Sequence, residues 1–230
     1  TGVNVSAPDT KEKLLDTAEI LFADQGYESV SVRDIAAEAD VNLAAINYHF
    51  QGKDNLYKAV LLRRVAPKRD KIISSLEQVM GGANPTLDGL VSAFVRAHLE
   101  DALVSDQGAV ALRLVARELT EPKHGAEIIC REMIAPVHTA FSNALVGVRP
   151  GLEVPECTRI ISSIVGQVVH FTMRWRNTRP GEVPGHDTGQ MRHAFPSLFG
   201  SLEDYITETV AHVTRFSVGG VEALLNEEGK

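Results

Sequence analysis

Ser31-Val-Arg-Asp-Ile-Ala-Ala-Glu-Ala-Asp40 runs directly into Val41-Asn-Leu-Ala-Ala-Ile-Asn-Tyr-His-Phe50, and these twenty residues decide the fold. Ser31 is a good N-cap, and the helix that follows places Ile35, Ala36 and Ala39 on one face before stopping near Asp40. Asn42 caps a second short helix whose inward face is Ile46 and Phe50, backed by Val41 of the turn, with Gly52 as its closing residue. Two short helices joined by a tight turn, the second keeping a face that its own core does not need, form the layout of a helix-turn-helix.

The spare face consists of Leu43, Ala44, Asn47 and Tyr48. A merely solvated face would be charged, whereas this one is small, apolar and amide-bearing, with one aromatic hydroxyl. Such a surface suits the DNA major groove: Ala and Leu methyls meet thymine methyls, Asn47 bonds an adenine edge, and Tyr48 reaches a phosphate oxygen. Ser31 and Lys53 stand at the starts of neighbouring helices, where unpaired N–H groups and the helix dipole attract anions.

Working outward, Asp9 with Glu12 makes a capping box for a preceding helix that carries Leu14, Leu15, Ala18, Leu21 and Phe22 on one face and ends at Gly26. From Lys53 a further helix carries Leu56, Tyr57, Val60 and Leu61, until Pro67 kinks or ends it. Beyond Gly81-Gly82-Ala83-Asn84-Pro85 come longer helical patterns without strand-like alternation: Leu87 to Val104, Ala109 to Leu119, Gly125 to Val146, Glu156 to Arg176 and Leu198 to Leu225. Pro136 should kink the third of these by freeing the carbonyl of Glu132. The expected class is all-α. Residues 1–8 read as a flexible tail, 9–70 as a three-helix DNA-binding domain with its connecting helix, and 71–230 as a helical bundle for ligand binding and dimerisation. Asn177 to Pro196 reads as a long, mobile or functional loop.

The net charge of −7 argues against indiscriminate nucleic-acid binding. A local basic cluster remains: Lys53, Lys58, Arg63, Arg64, Lys68, Arg69 and Lys71 face only Asp54 and Asp70 in the same stretch, and this run can supply a phosphate-facing patch. No apolar run reaches the ~20 residues of a membrane helix, so a soluble cytoplasmic protein is expected. Cys130 and Cys157 lack metal-ligand spacing and read as buried thiols. No metal or cofactor is expected. A helical enzyme with a carboxylate-bridged metal is the first alternative, but it needs Glu with Glu-x-x-His pairs. His124 with Glu127 stands in reverse order, Glu208 with His212 is spaced i, i+4, and the nucleophile-elbow and P-loop patterns are absent. A protein-binding helical adaptor is the second alternative, and it leaves Asn47 and Tyr48 idle.

The run from Ser31 to Phe50, continued by Lys53-Asp-Asn-Leu-Tyr57, closely resembles the DNA-binding region of TetR/AcrR-family regulators over about Thr10 to Leu62. The resemblance implies a first helix at Lys11 to Gln25, a tight turn at Asp40 to Asn42 and a recognition helix at Leu43 to Phe50. It places Ser31, Arg33, Asn42, Ala44, Ala45, Asn47, Tyr48, His49 and Lys53 where the family contacts DNA. Two departures stand out. Asp40 holds a turn position that is usually Gly, yet Asp tolerates the left-handed conformation better than most residues. Leu43-Ala44-Ala45 stands where a polar residue or Gly is common, which bears on the operator sequence. Arg113 to Pro122 and Gly166 to His170 look like the CecR subgroup, which the resemblance links to drug or toxic-compound responses.

By the same resemblance the chain is a ligand-responsive repressor of a palindromic double-stranded operator, with its last two long helices pairing with their twins in a homodimer. Ile160, Ile161, Ile164, Val165, Val168, Val169 and Thr172 cover more than one face of the first of these, and Leu202, Ile206, Val210, Val213 and Phe216 serve the second. A small-molecule effector is expected among the middle helices, where polar or aromatic groups lie in apolar surroundings. Its candidate contacts are Phe94, His98, Arg113, Arg117, Met133, Phe141, His170, Met173 and Arg174.

Overall fold

A computed structural model describes residues 9–104, 106–120, 124–177 and 200–227, and among these the chain is all-α. The expected tail at residues 1–8 lies outside the described residues, as does the expected loop from Asn177 to Pro196 except for Asn177 itself, which ends a helix. The helices are α1 Thr10–Gln25, α2 Val32–Glu38, α3 Ala44–Phe50, α4 Lys53–Met80, α5 Leu87–Val104, α6 Asp106–Thr120, α7 Ala126–Ile129, α8 Ala135–Val148, α9 Val154–Asn177 and α10 Leu202–Glu227. No described helix is long and apolar enough to cross a membrane. Among the described residues no group of three or more His, Cys, Asp or Glu could hold a metal ion.

Contacts divide the chain into two compact units, one running to Pro67 and adding Gln107–Met133, the other comprising Lys68–Asp106 and Ile134 onward. The partition differs from a simple cut at residue 70, because α6 and α7 pack with the N-terminal helices. Leu114 of α6 and Ile129 of α7 join Leu14, Phe22, Ile35, Ile46, Leu56 and Leu61 in one buried cluster. Each such side chain contributes about 1.5–3 kcal/mol by leaving water. In the second unit α5 packs against α8, α9 and α10, with Phe94, Phe141, Ile164 and Val213 fully buried.

One local expectation is corrected and two are narrowed. Asp9 precedes α1 but its side chain makes no capping bond, so the box with Glu12 does not form. Pro67 does not end α4, which runs on to Met80: Val65, Ile72 and Leu76 are buried on both sides of it, and one missing bond costs less than unburying that stripe. Pro136 is the second residue of α8, inside one helical run from Ala126 to Val148. The chain passes through a π turn at Cys130–Ile134 before α8 begins, and the wider turn absorbs the donor that Pro136 lacks. Cys130 opens that turn and is exposed, contrary to expectation, while Ile129 beside it takes the inward place. Cys157 is buried, and burial raises its thiol pKa.

His98 illustrates what the second core does to a titratable group. Its Nδ1–H donates to the Phe94 carbonyl at 2.9 Å, and burial, followed by the nearby Lys68 ammonium, holds the ring pKa down at about 3. Below the ordinary value of 6.5 the unfolded chain takes a proton that the folded chain refuses until about 3. Stability is therefore lost as pH falls through that window, by on the order of 1.4 kcal/mol per pH unit. His98→Phe is expected to flatten this acid limb in urea titrations at about pH 6.5 and about pH 4.5, and an unchanged slope would contradict the assignment.

Candidate nucleic-acid interface

Local bonds set α2 and α3 at their angle. The Ser31 hydroxyl accepts from the Asp34 amide at 3.2 Å and the Asp34 carboxylate accepts from the Ser31 amide at 2.9 Å, a reciprocal cap that also lowers the Asp34 pKa. Asp40 adopts φ 51°, the left-handed turn that the sequence asked of it. Asn42 Oδ1 then accepts from the Ala44 amide at 2.8 Å and starts α3. At the far end Gln51 takes the left-handed cap at φ 60°, one residue earlier than the expected Gly52, which itself sits at φ 133°.

Ile46 and Phe50 are buried as expected. The opposite face of α3 is open: Tyr48 is 84% and Leu43 39% exposed, and Ala44 and Asn47 are exposed beside them. Ser31, Arg33 and Asn42 are exposed, whereas Ala45, His49 and Lys53 are half-buried.

Lys53 is not simply solvated. Its ammonium lies 4.1 Å from the centroid of the Tyr27 ring, and the Tyr27 hydroxyl donates to the Asp54 carboxylate. Burial first, and then Asp54, push the Tyr27 pKa up to about 12, so it remains a neutral donor. Tyr27 escaped the sequence reading; its signal was an aromatic residue directly after the helix-ending Gly26, in a turn otherwise polar.

The basic cluster is largely spent on internal pairs. Arg64 grips the buried Glu19, with Nη2 at 2.7 Å, and Arg63 reaches Asp16 at 2.7 Å. Lys68 pairs with Asp101, Lys71 with Glu100 and Arg69 with Asp70. Of the remaining lysines in the cluster, Lys53 is half-buried and Lys58 exposed.

The effector candidates separate. Phe94, His98 and Phe141 meet in the second core, the Phe94 ring lying 4.2 Å from Phe141 and 4.3 Å from His98 between centroids. Arg113 and Arg117 belong to the first unit, where they hold Asp24 at the end of α1 through its carboxylate at 3.3 Å and its carbonyl at 3.2 Å. Met133 also falls in that unit, half-buried. His170 and Met173 are exposed on α9, and Arg174 is half-buried. None of these lines the open groove of about 660 Å³ in the second unit, which is walled by Lys71, Glu100, Val104, Leu202 and Ile206.

Of the residues expected to meet a partner chain, Ile206, Val210 and Val213 of α10 are buried in their own unit, as are Ile160, Ile161, Ile164, Val168 and Thr172 of α9. Outward remain Phe216, 68% exposed, and Val169, together with Gly166, Ala211, Gly219, Gly220 and Leu224.

Two family models match the chain: "Bacterial regulatory proteins, tetR family" at residues 14–60 and "HTH-type transcriptional dual regulator CecR, C-terminal domain" at residues 87–180. The probable regulator YttP of Bacillus subtilis is 49% identical over 47 residues, so the chain spans only 23% of that relative's length and 20% of its own. The dual regulator CecR of Shigella flexneri is 21% identical over 179 residues, 75% of this chain and 79% of its own. The fatty acid degradation regulator FadR of Bacillus halodurans has the same fold, with a TM-score of 0.59 at 15% identity over 91% of this chain and 96% of that one. The first model falls on α1 to α4 and the second runs from α5 into the residues beyond α9, in the order that the fold requires. The chain thus carries the DNA-binding domain of the tetR family of bacterial regulatory proteins followed by a CecR-type C-terminal domain, both of them parts of helix-turn-helix transcriptional regulators and not of enzymes.

Proposed function

We propose that this regulator is a cytoplasmic, ligand-responsive repressor that binds a palindromic operator as a homodimer. The observation that carries the DNA reading is the uncharged, solvent-facing side at the start of and along α3, where Leu43, Ala44, Asn47 and Tyr48 are exposed. Leu43 and Ala44 meet thymine methyls, Asn47 reads an adenine edge and Tyr48 bonds a phosphate. Lys53, at the start of the long helix α4, adds a second phosphate contact. Ser31, Arg33, Asn42, Ala45 and His49 flank this surface.

A gel shift of the purified protein against DNA flanking its own gene, run over a salt series, tests the class. A shifted palindromic fragment with steep salt dependence is expected; binding indifferent to salt would remove the phosphate contacts.

The dimer reading is supported by the outward faces of α9 and α10. Gly166, Gly219 and Gly220 stand where a side chain would meet nothing within 4 Å, so small residues line a surface that a second helix pair can approach closely. Gly166→Arg is expected to raise the dimer Kd by more than about tenfold, without loss of helix content. Sedimentation that still gives a dimer at low protein concentration would refute this interface.

The effector reading now centres on Phe94, His98 and Phe141, the candidates that share one core. Effector binding there changes the separation of the two recognition helices from the roughly 34–36 Å that matches successive major grooves. A coupling of about 1–3 kcal/mol lowers operator affinity about 5- to 150-fold.

A further inference from the structure

Tyr27 lies in the turn between α1 and α2, directly after Gly26, whose φ of 83° breaks α1. Its ring is held from several sides. Centroids lie 5.9 Å from Phe22, 5.0 Å from Tyr57 and 4.0 Å from His124, and its hydroxyl is tied to Asp54. His124 is pinned in turn, since its Nε2–H donates to the Glu28 carboxylate at 2.8 Å. The Lys53 ammonium rests on this fixed ring at 4.1 Å.

A lysine in water samples many rotamers, and holding it against a phosphate forfeits that freedom. A ring beneath the ammonium removes much of that cost beforehand, because the cation is attracted to the π face while its N–H groups remain able to donate elsewhere. We infer that Tyr27 is a positioning residue for Lys53. It presets the ammonium for a DNA phosphate, and its contact with His124 makes the turn before α7 part of the same platform. This rests on the reading of Lys53 as a DNA-facing residue. Tyr27 itself touches no DNA; it acts through Lys53, and that distinguishes it from an aromatic that merely fills the core.

The test is a double-mutant cycle, read by fluorescence anisotropy with a mixed-sequence DNA duplex at low salt, since binding to a phosphate is independent of sequence. Lys53→Ala is expected to weaken binding and to lower the salt slope by about 0.9 for each phosphate that the ammonium neutralises. Tyr27→Leu is expected to weaken binding about fivefold when Lys53 is present and to change nothing when Lys53 is already alanine. Tyr27→Phe keeps the ring and should remain within about twofold of the original chain. If Tyr27→Leu weakens binding equally in both backgrounds, its role is structural and the inference is overturned. If Lys53→Ala changes neither affinity nor slope, the DNA reading of Lys53 itself falls. Should Tyr27→Leu not fold, His124→Ala, at an exposed position, goes through the same cycle. A weakening that vanishes without Lys53 supports the platform, and no weakening, or an equal one in both backgrounds, overturns it.

Discussion

Tyr48→Ala is expected to weaken operator binding by the dimer about 100- to 10,000-fold while leaving the thermal midpoint within about 2 °C of the original chain. The two halves of this expectation have separate causes. At 84% exposure Tyr48 buries little against the fold, and an exposed substitution away from caps and ion pairs usually changes stability by under about 0.5 kcal/mol. On DNA, removing a hydrogen bond to a charged phosphate costs about 1.5–3 kcal/mol, and a symmetric dimer forgoes it at each half-site. Electrophoretic titration of a shifted fragment, beside a melting curve, measures both. Undiminished binding would leave α3 without the role given to it, and would favour the adaptor reading in which Asn47 and Tyr48 are idle.

Glu19→Ala is expected to cost the N-terminal unit about 3–5 kcal/mol. Glu19 is only 3% exposed, and both of its oxygens meet the Arg64 guanidinium, while Arg63 stands 4.0 Å away. This clamp joins α1 to α4 beneath the helix-turn-helix. Cutting the carboxylate out leaves a largely buried guanidinium without its countercharge, which costs more than the intact pair contributes. Against a total stability of about 5–15 kcal/mol the effect is severe, equivalent to a fall of roughly 6–20 °C in thermal midpoint. Glu12 and Asp16, more than half exposed, also approach Arg63, yet their removal should cost under about 1 kcal/mol because water screens them. Chemical denaturation of the three alanine variants tests the ranking. Equal, small losses at all three positions would mean that burial gives Glu19 no special weight.

Most of the helix-turn-helix was legible in the residues because its determinants are local. Ser31 and Asp34 cap across three residues, Asn42 caps across two, and Asp40 turns the chain by its own backbone preference. Periodicity assigned Ile46 and Phe50 inward, and with them the outward residues of α3. The same reasoning failed where position along the chain says nothing about neighbours. Ile206, Val210 and Val213 were assigned to an interface with a partner chain; packing against α5 and α9 buries them in the core of their own unit.

The sequence by itself determined the class of fold, the boundaries of the short helices and the chemistry of the face that they leave open, since capping and helical spacing act within a few residues. Only the tertiary structure decided what the charges and aromatics do. It consumed Arg63, Arg64, Lys68 and Lys71 in ion pairs with carboxylates from other helices. It also carried α6 and α7 to the N-terminal helices, bringing His124 to Glu28 across 96 residues and beside the ring on which Lys53 rests. Such pairings depend on which distant segments the burial of apolar surface brings together, and no local pattern encodes that choice.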